Sequence, residues 1–277
     1  MHRLLISPLR ALSWIIALAL AVPSHAHEFW IEPATSRAEV GAPGSADLRV
    51  GDMLSGQRFP WLGEQTEGAR VHAPSGTREI SGRDGDRPAL SYALAEPGLH
   101  IVTYEAVPNY VVFDDLAEFA EALEYEGLRW VVAEHEARGL PSTEIAEGYI
   151  RNARALVQVG PPGPGDVDRL TGMPFELVVL GSPYLPEQAE VEVELTWQGE
   201  PEAGVQVSVF RRPAGGTAPQ DVVRILVTTD EEGRASIPIA ANGLYLLNAV
   251  HMEPVSGPGS VVWQSHWASL TFTVAPE

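Results

Sequence analysis

Three histidines in this chain could share one cation: His27, His251 and His266. Cleavage after Ser24-His25-Ala26 would leave His27 as the first residue, where its free α-amine and imidazole Nδ1 form a chelate for one metal ion. His251 and His266 flank the turn Ser256-Gly257-Pro258-Gly259, and in a hairpin symmetric about the Pro258-Gly259 bond they face each other. Directly opposed residues hold their Cβ atoms about 4.5–5.5 Å apart. That spacing suits two imidazoles converging on a cation at about 2.0–2.1 Å from each nitrogen. Glu253 lies on the same face two residues on, as an additional oxygen ligand or as an acceptor behind a histidine. With no cysteine in the chain, such a site is built from nitrogen and oxygen alone, which admits nickel, cobalt, copper or zinc.

The hairpin must position these groups. On the same face, moving away from the turn, Ala249 opposes Ala268, Leu247 opposes Leu270 and Tyr245 opposes Phe272, so this is the core face and the histidines sit at its open end. A one-residue slip in register would send one histidine to the other face. The competing reading is a stacked histidine pair at an aromatic-rich core edge, with Trp263 and Trp267 nearby. Of the other histidines, His135 is expected on an exposed helix turn, His72 just before a turn, and His100 on a strand alternating with Val102 and Tyr104.

Residues 1–26 carry Arg3 and Arg10, then an apolar stretch from Ala11 to Val22, then a small-x-small cleavage site, and so read as a secretory signal peptide. The stretch falls short of the ~20 residues that cross a bilayer. The expected location is the periplasm or the exterior, with no lipid anchor, since no cysteine follows the cut. The 277 residues are 45% hydrophobic and carry a net charge of −19, a balance that suits a globular core, disfavours nucleic acid and attracts cations. A nucleophile elbow, a His-Glu-x-x-His zinc motif and a glycine-rich phosphate loop are all missing, which points to a binding protein rather than an enzyme.

The chain divides into a leader (1–26), an N-terminal β-sandwich (27–112), a two-helix insertion (113–160), a Pro/Gly linker (161–173) and a C-terminal Ig-like or prealbumin-like sandwich (174–277). Short strands cut by turn clusters, such as 47–50, 70–72 and 99–104, predict the first antiparallel sandwich. Leu116, Phe119, Leu123 and Leu128 behind Asp114 and Asp115 predict an amphipathic helix. A second helix is predicted over 142–160, with Ile145, Tyr149, Ala153 and Leu156 on one face. Seven strands over 175–274 predict the second sandwich, and Asp230 and its neighbours in 229–235 read as turn formers rather than calcium ligands.

Several stretches together resemble an exported family of unknown function grouped with periplasmic nickel and cobalt uptake components, often labelled NikM-like. They are His27-Glu28-Phe29-Trp30-Ile31-Glu32-Pro33, Tyr125-Glu126-Gly127-Leu128, the run from Tyr149 to Val157, Thr229 to Arg234, Gly243 to Leu247 through His251, and Ser265 to Leu270. The resemblance implies a periplasmic sandwich protein that handles divalent transition metals, with His27, His251 and His266 at the matching positions. A chain with no membrane span after the leader would bind or deliver a cation to a membrane uptake system, not transport it. Two other readings stand beside this one: a copper carrier or oxidase with a histidine brace, and a metal-free β-sandwich interaction module.

Overall fold

The computed structural model describes residues 28–185, 189–239 and 242–274; the leader and His27 lie outside the described residues. The chain opens with β1 (Glu28–Pro33), β2 (Arg37–Ala38), β3 (Pro43–Asp52), β4 (Ser55–Phe59), β5 (Thr66–Ala73), β6 (Gly76–Glu79), β7 (Leu90–Ala93), β8 (Gly98–Ala106) and β9 (Asn109–Asp115). Helices α1 (Leu116–Tyr125) and α2 (Trp130–Ala137) then lead into a long strand, β10 (Thr143–Val159). The remainder comprises β11 (Phe175–Val179), β12 (Glu190–Trp197), β13 (Glu200–Pro201), β14 (Gln206–Pro213), β15 (Val223–Thr228), β16 (Arg234–Pro238), β17 (Gly243–Pro254) and β18 (Val261–Val274). Among the described residues the fold is mainly β, built as sandwiches, as the turn spacing predicts, with two helices inserted before β10.

One ten-stranded sheet, with the path β15-β14-β17-β18-β10-β8-β5-β6, serves both sandwiches. On one face, Leu247, Ala268, Leu270 and Leu156 pack against β11 and β12 of a small sheet through Phe175, Leu177 and Val193. On the other, Val71, Val102, Ala155 and Val157 pack against β1 and β3 through Ile31 and Leu48. The two sandwiches therefore lie on opposite faces of a shared layer, and β10 pairs β18 in parallel, so that layer is not wholly antiparallel.

Strand β10 replaces the helix predicted over 142–160. Ala153, Ala155 and Val157 point to one core and Leu156 to the other. A strand buried on both faces reads as a near-continuous run of apolar and small residues, which periodicity alone does not separate from a buried helix. Pairing with β18 on one side and with β8 and β9 on the other decides the matter. The helical segment is accordingly 116–137 and not 113–160. Helix α1 starts as its sequence predicts: Asp115 accepts hydrogen bonds from the backbone N–H groups of Ala117 and Glu118, both at 2.9 Å. The backbone N–H of Asp114 donates back to the Glu118 carboxylate.

Candidate functional site

The hairpin forms in the register read from its turn. His251 pairs with His266, Ala249 with Ala268, Leu247 with Leu270 and Tyr245 with Phe272. The ring centroids of the two histidines are 6.2 Å apart. Each ring has one nitrogen on a carboxylate: His251 Nδ1 lies 2.8 Å from Glu202 Oε1, and His266 Nε2 lies 3.1 Å from Glu253 Oε1. A carboxylate accepts, so these nitrogens carry protons, and in the neutral tautomer the other nitrogen of each ring keeps a lone pair. His266 Nδ1 is buried and has no hydrogen-bond partner. Burial holds the His266 pKa below the usual histidine value, opposed by Glu253 and reinforced by His251.

Trp197 of β12 covers the pair, its ring centroid 4.4 Å from each imidazole and nearly parallel to His251. Glu202 was not among the expected residues; it lies 49 positions from its partner and looks like one more surface acid. Its backbone is fixed by a hydrogen bond from its N–H to Leu195 O at 2.9 Å. Gly233 presses on the same backbone: its φ is +72°, and a Cβ there would come within 2.8 Å of Glu202 N and of Leu195 O. Gly233→Ala should therefore cost about 1–3 kcal/mol, because an αL backbone and a backbone collision coincide. An unchanged denaturant midpoint would contradict this. Asp230 supports the same turn, accepting from the backbone N–H groups of Glu232 and Arg234, so its carboxylate is a turn former as expected.

Glu28, the residue after His27, lies on the other face of the ten-stranded sheet. It joins Glu126 and Glu147 beneath α1, beside Asn248 and Ser265, whose side chains point away from the histidine face. The described chain thus brings His251, His266 and Glu253 together, adds Glu202, and leads its N-terminal end elsewhere. Among the described residues, no three His, Cys, Asp or Glu side chains are placed to hold a metal together.

The three glutamates form a second polar centre that the sequence did not reveal. Glu28 is 1%, Glu147 4% and Glu126 8% exposed. Burial is the main cause that pushes their carboxyls up, to about 7 for Glu28, about 8 for Glu126 and about 7 for Glu147. Asp52 adds to this for Glu28, Glu28 adds to it for Glu126, and the Ser265 hydroxyl opposes it for Glu147. Glu28 Oε1 accepts from the Tyr125 hydroxyl at 3.3 Å, and Asn248 Nδ2 donates to Glu126 Oε2 at 3.4 Å.

The remaining described histidines stand apart from this pair. His135 is 1% exposed, not on an exposed turn: Trp263 Nε1 donates to its Nδ1 at 3.0 Å, so its Nε2 donates to Pro141 O. His72 sits between the Thr77 and Thr103 hydroxyls, its pKa lowered to about 4, mainly by burial. His100 is a buried strand residue, as its alternation predicts.

The family model for a domain of unknown function, DUF4198, matches residues 24–253, and the chain belongs to that family. No curated protein matches it. Among solved structures, the chain is similar to the FN1–FN3 domains of chicken CNTN1, with 10% identity, a TM-score of 0.22, and coverage of 91% of this chain and 66% of that one. It is also similar to Escherichia coli alpha-2-macroglobulin activated by porcine elastase, with 12% identity, a TM-score of 0.22, and coverage of 90% of this chain and 20% of that one. The chain thus spans less than two thirds of either structure's length.

Proposed function

We propose that this member of the DUF4198 family is an exported divalent transition-metal-binding protein that captures a nickel- or cobalt-type cation and delivers it to a membrane uptake system. The observation that carries this reading is the opposed pair His251 and His266, each with one nitrogen anchored on a carboxylate and the other left as a lone-pair donor. Metal-ligating histidines characteristically donate their second N–H to a carboxylate, which fixes the tautomer and raises ligand basicity. One ion at about 2.0–2.1 Å from a nitrogen of each ring sets the centroids roughly 5–6.5 Å apart, and the observed 6.2 Å falls within that span. The buried, unpartnered Nδ1 of His266 fits a metal ligand. The likeness of the quoted stretches to NikM-like proteins favours nickel or cobalt within the divalent series, and the leader-like residues 1–26 support export.

Titration of leader-processed protein with nickel, cobalt, copper and zinc tests the reading. His251→Ala and His266→Ala should each weaken binding at least 100-fold, and Glu202→Gln or Glu253→Gln about 10- to 100-fold, the usual cost of losing a carboxylate behind a ligating histidine. A form with one extra residue before His27 separates a site that uses the terminal amine from one that does not. Copper will bind tightest in such a comparison whatever the natural metal, because the divalent series favours it at any nitrogen site. If none of the four metals binds, or if binding survives loss of both histidines, the metal reading fails. The packing of Trp197 against both rings, stacked on His251 and tilted on His266, would then stand as the packed end of a metal-free interaction module.

A further inference from the structure

Beneath α1, on the opposite face of the sheet from the histidine pair, lies a cavity of about 480 Å³. Its walls are apolar, with Phe113, Leu123, Leu128, Val250, Met252 and Trp267 among them. The charged residues that line it are Asp52, Glu121, Glu124, Glu126 and Glu147, all acids, with no base among the lining residues. An apolar body and a cationic head are what such a lining complements, and the volume is that of a small-molecule site.

A second observation concerns the acceptors behind that lining. Glu28 Oε2 and Asn248 Oδ1 are both buried without a hydrogen-bond partner, on side chains only 1% exposed. Asn248 turns its amide head towards Glu126, and Glu28 shares the Tyr125 hydroxyl at the same place. Unsatisfied buried acceptors cost free energy until a donor reaches them. Arg224 bears on Glu28 and Glu126 electrostatically but gives its hydrogen bonds to Tyr125 O at 2.7 Å and Ser208 Oγ at 2.8 Å. The centre therefore holds two buried acceptors without a donor directly behind the carboxylates that line the cavity.

We infer that this cavity binds an organic primary ammonium ion with an apolar, aryl-sized body, its N–H donors directed at the Glu126 and Glu147 carboxylates that line it. A bare metal ion fits less well, because no three ligating side chains converge there among the described residues and most of the lining would give it nothing. Trp267 and Phe113 add ring faces and edges that suit an aryl body and a nearby cation. This inference does not depend on the metal reading, since the two sites lie on opposite faces of one sheet.

Calorimetric titration of the full chain with phenethylammonium, with 2-phenylethanol as the neutral control, tests it. Saturable binding of the ammonium, at least tenfold tighter than the alcohol, is expected. Glu126→Gln with Glu147→Gln should weaken it at least 20-fold while leaving the near-UV circular dichroism of the folded protein unchanged. Ala122→Phe, which fills the cavity from α1 without touching a carboxylate, should abolish it and covers the case in which the double variant does not fold. No binding up to millimolar concentrations, equal binding of the alcohol, or binding unaffected by Ala122→Phe would overturn the inference. So would displacement of the ammonium by calcium or magnesium in simple competition, because the site would then be one for metal.

Discussion

Raising the pH from 5 to 8.5 should destabilise this protein by a few kcal/mol, and Glu126→Gln should remove much of that slope. Glu126 is buried with Glu28, Glu147 and Asp52 facing it and Arg224 pulling the other way; its carboxyl is pushed up to about 8. Glu147, buried against the Ser265 hydroxyl and within reach of Arg151, is pushed up to about 7. Both groups hold a proton in the folded state at pH values where the unfolded chain has released it. Stability from this source is fully present below the unfolded carboxylate value of ~4.3 and is lost as pH rises through the folded values. Each unit of displacement is worth about 1.4 kcal/mol, so these two glutamates, with Glu28 pushed up to about 7 beside them, give a slope that exposed acids do not and that outweighs the opposite contribution of His72, lowered to about 4, below pH 6.5. An amide at position 126 keeps the shape and has no proton to lose. Urea unfolding at intervals between pH 5 and 8.5 measures the effect. Stability that is flat or rising across that window, or a slope unchanged in Glu126→Gln, would refute the assignment. A bound ammonium ion should lessen the loss, since it favours the ionised carboxylates.

The same centre explains why part of the site was legible in the sequence and part was not. His251 and His266 could be paired because a symmetric turn fixes register, and register fixes which side chains share a face. The start of α1 was equally plain, because Asp115 announces it locally. Glu28, Glu126 and Glu147 come from β1, the end of α1 and β10, and in a chain with 37 acids nothing local marks three of them as buried. Their placement depends on β10 being a strand, and periodicity reads that segment as a helix. Tyr149 and Ala153 share a face in either geometry, but only the strand turns Glu147 towards Ser265 and Arg154 towards the other sandwich. His135 shows the same dependence: its partner Trp263 arrives from 128 residues away. The stretches behind the family likeness, around Glu28, Glu126, Arg151 and Ser265, meet at this centre, although their spacing gives no hint of it.

Arg154 carries the other large expectation: Arg154→Met should cost about 3–5 kcal/mol, although the residue belongs to neither candidate site. Its guanidinium is fully buried between Asp168 and Glu176, donating from Nη1 to Glu176 Oε2 at 2.7 Å and from Nη2 to Asp168 Oδ1 and to Arg169 O. The carboxylates in turn organise the segment after the Pro/Gly run. Asp168 accepts from the backbone N–H groups of Arg169 and Val179, and Glu176 accepts from those of Thr171 and Gly172 and from the Thr171 hydroxyl. This network ties β10 to β11 through the expected linker, so residues 168–176 act as a fixed clip between the layers. Removing the cation leaves two buried carboxylates facing each other, which is costlier than never having had the group. Arg154→Met combined with Glu176→Gln should regain part of the loss, because an amide oxygen still accepts from Thr171 and Gly172 while one buried charge disappears. Denaturant unfolding of the single and double variants decides the point. A single variant within 1 kcal/mol of the parent would show that the triad is not what holds the linker, and a double variant worse than the single would place the cost in packing rather than in unpaired charge.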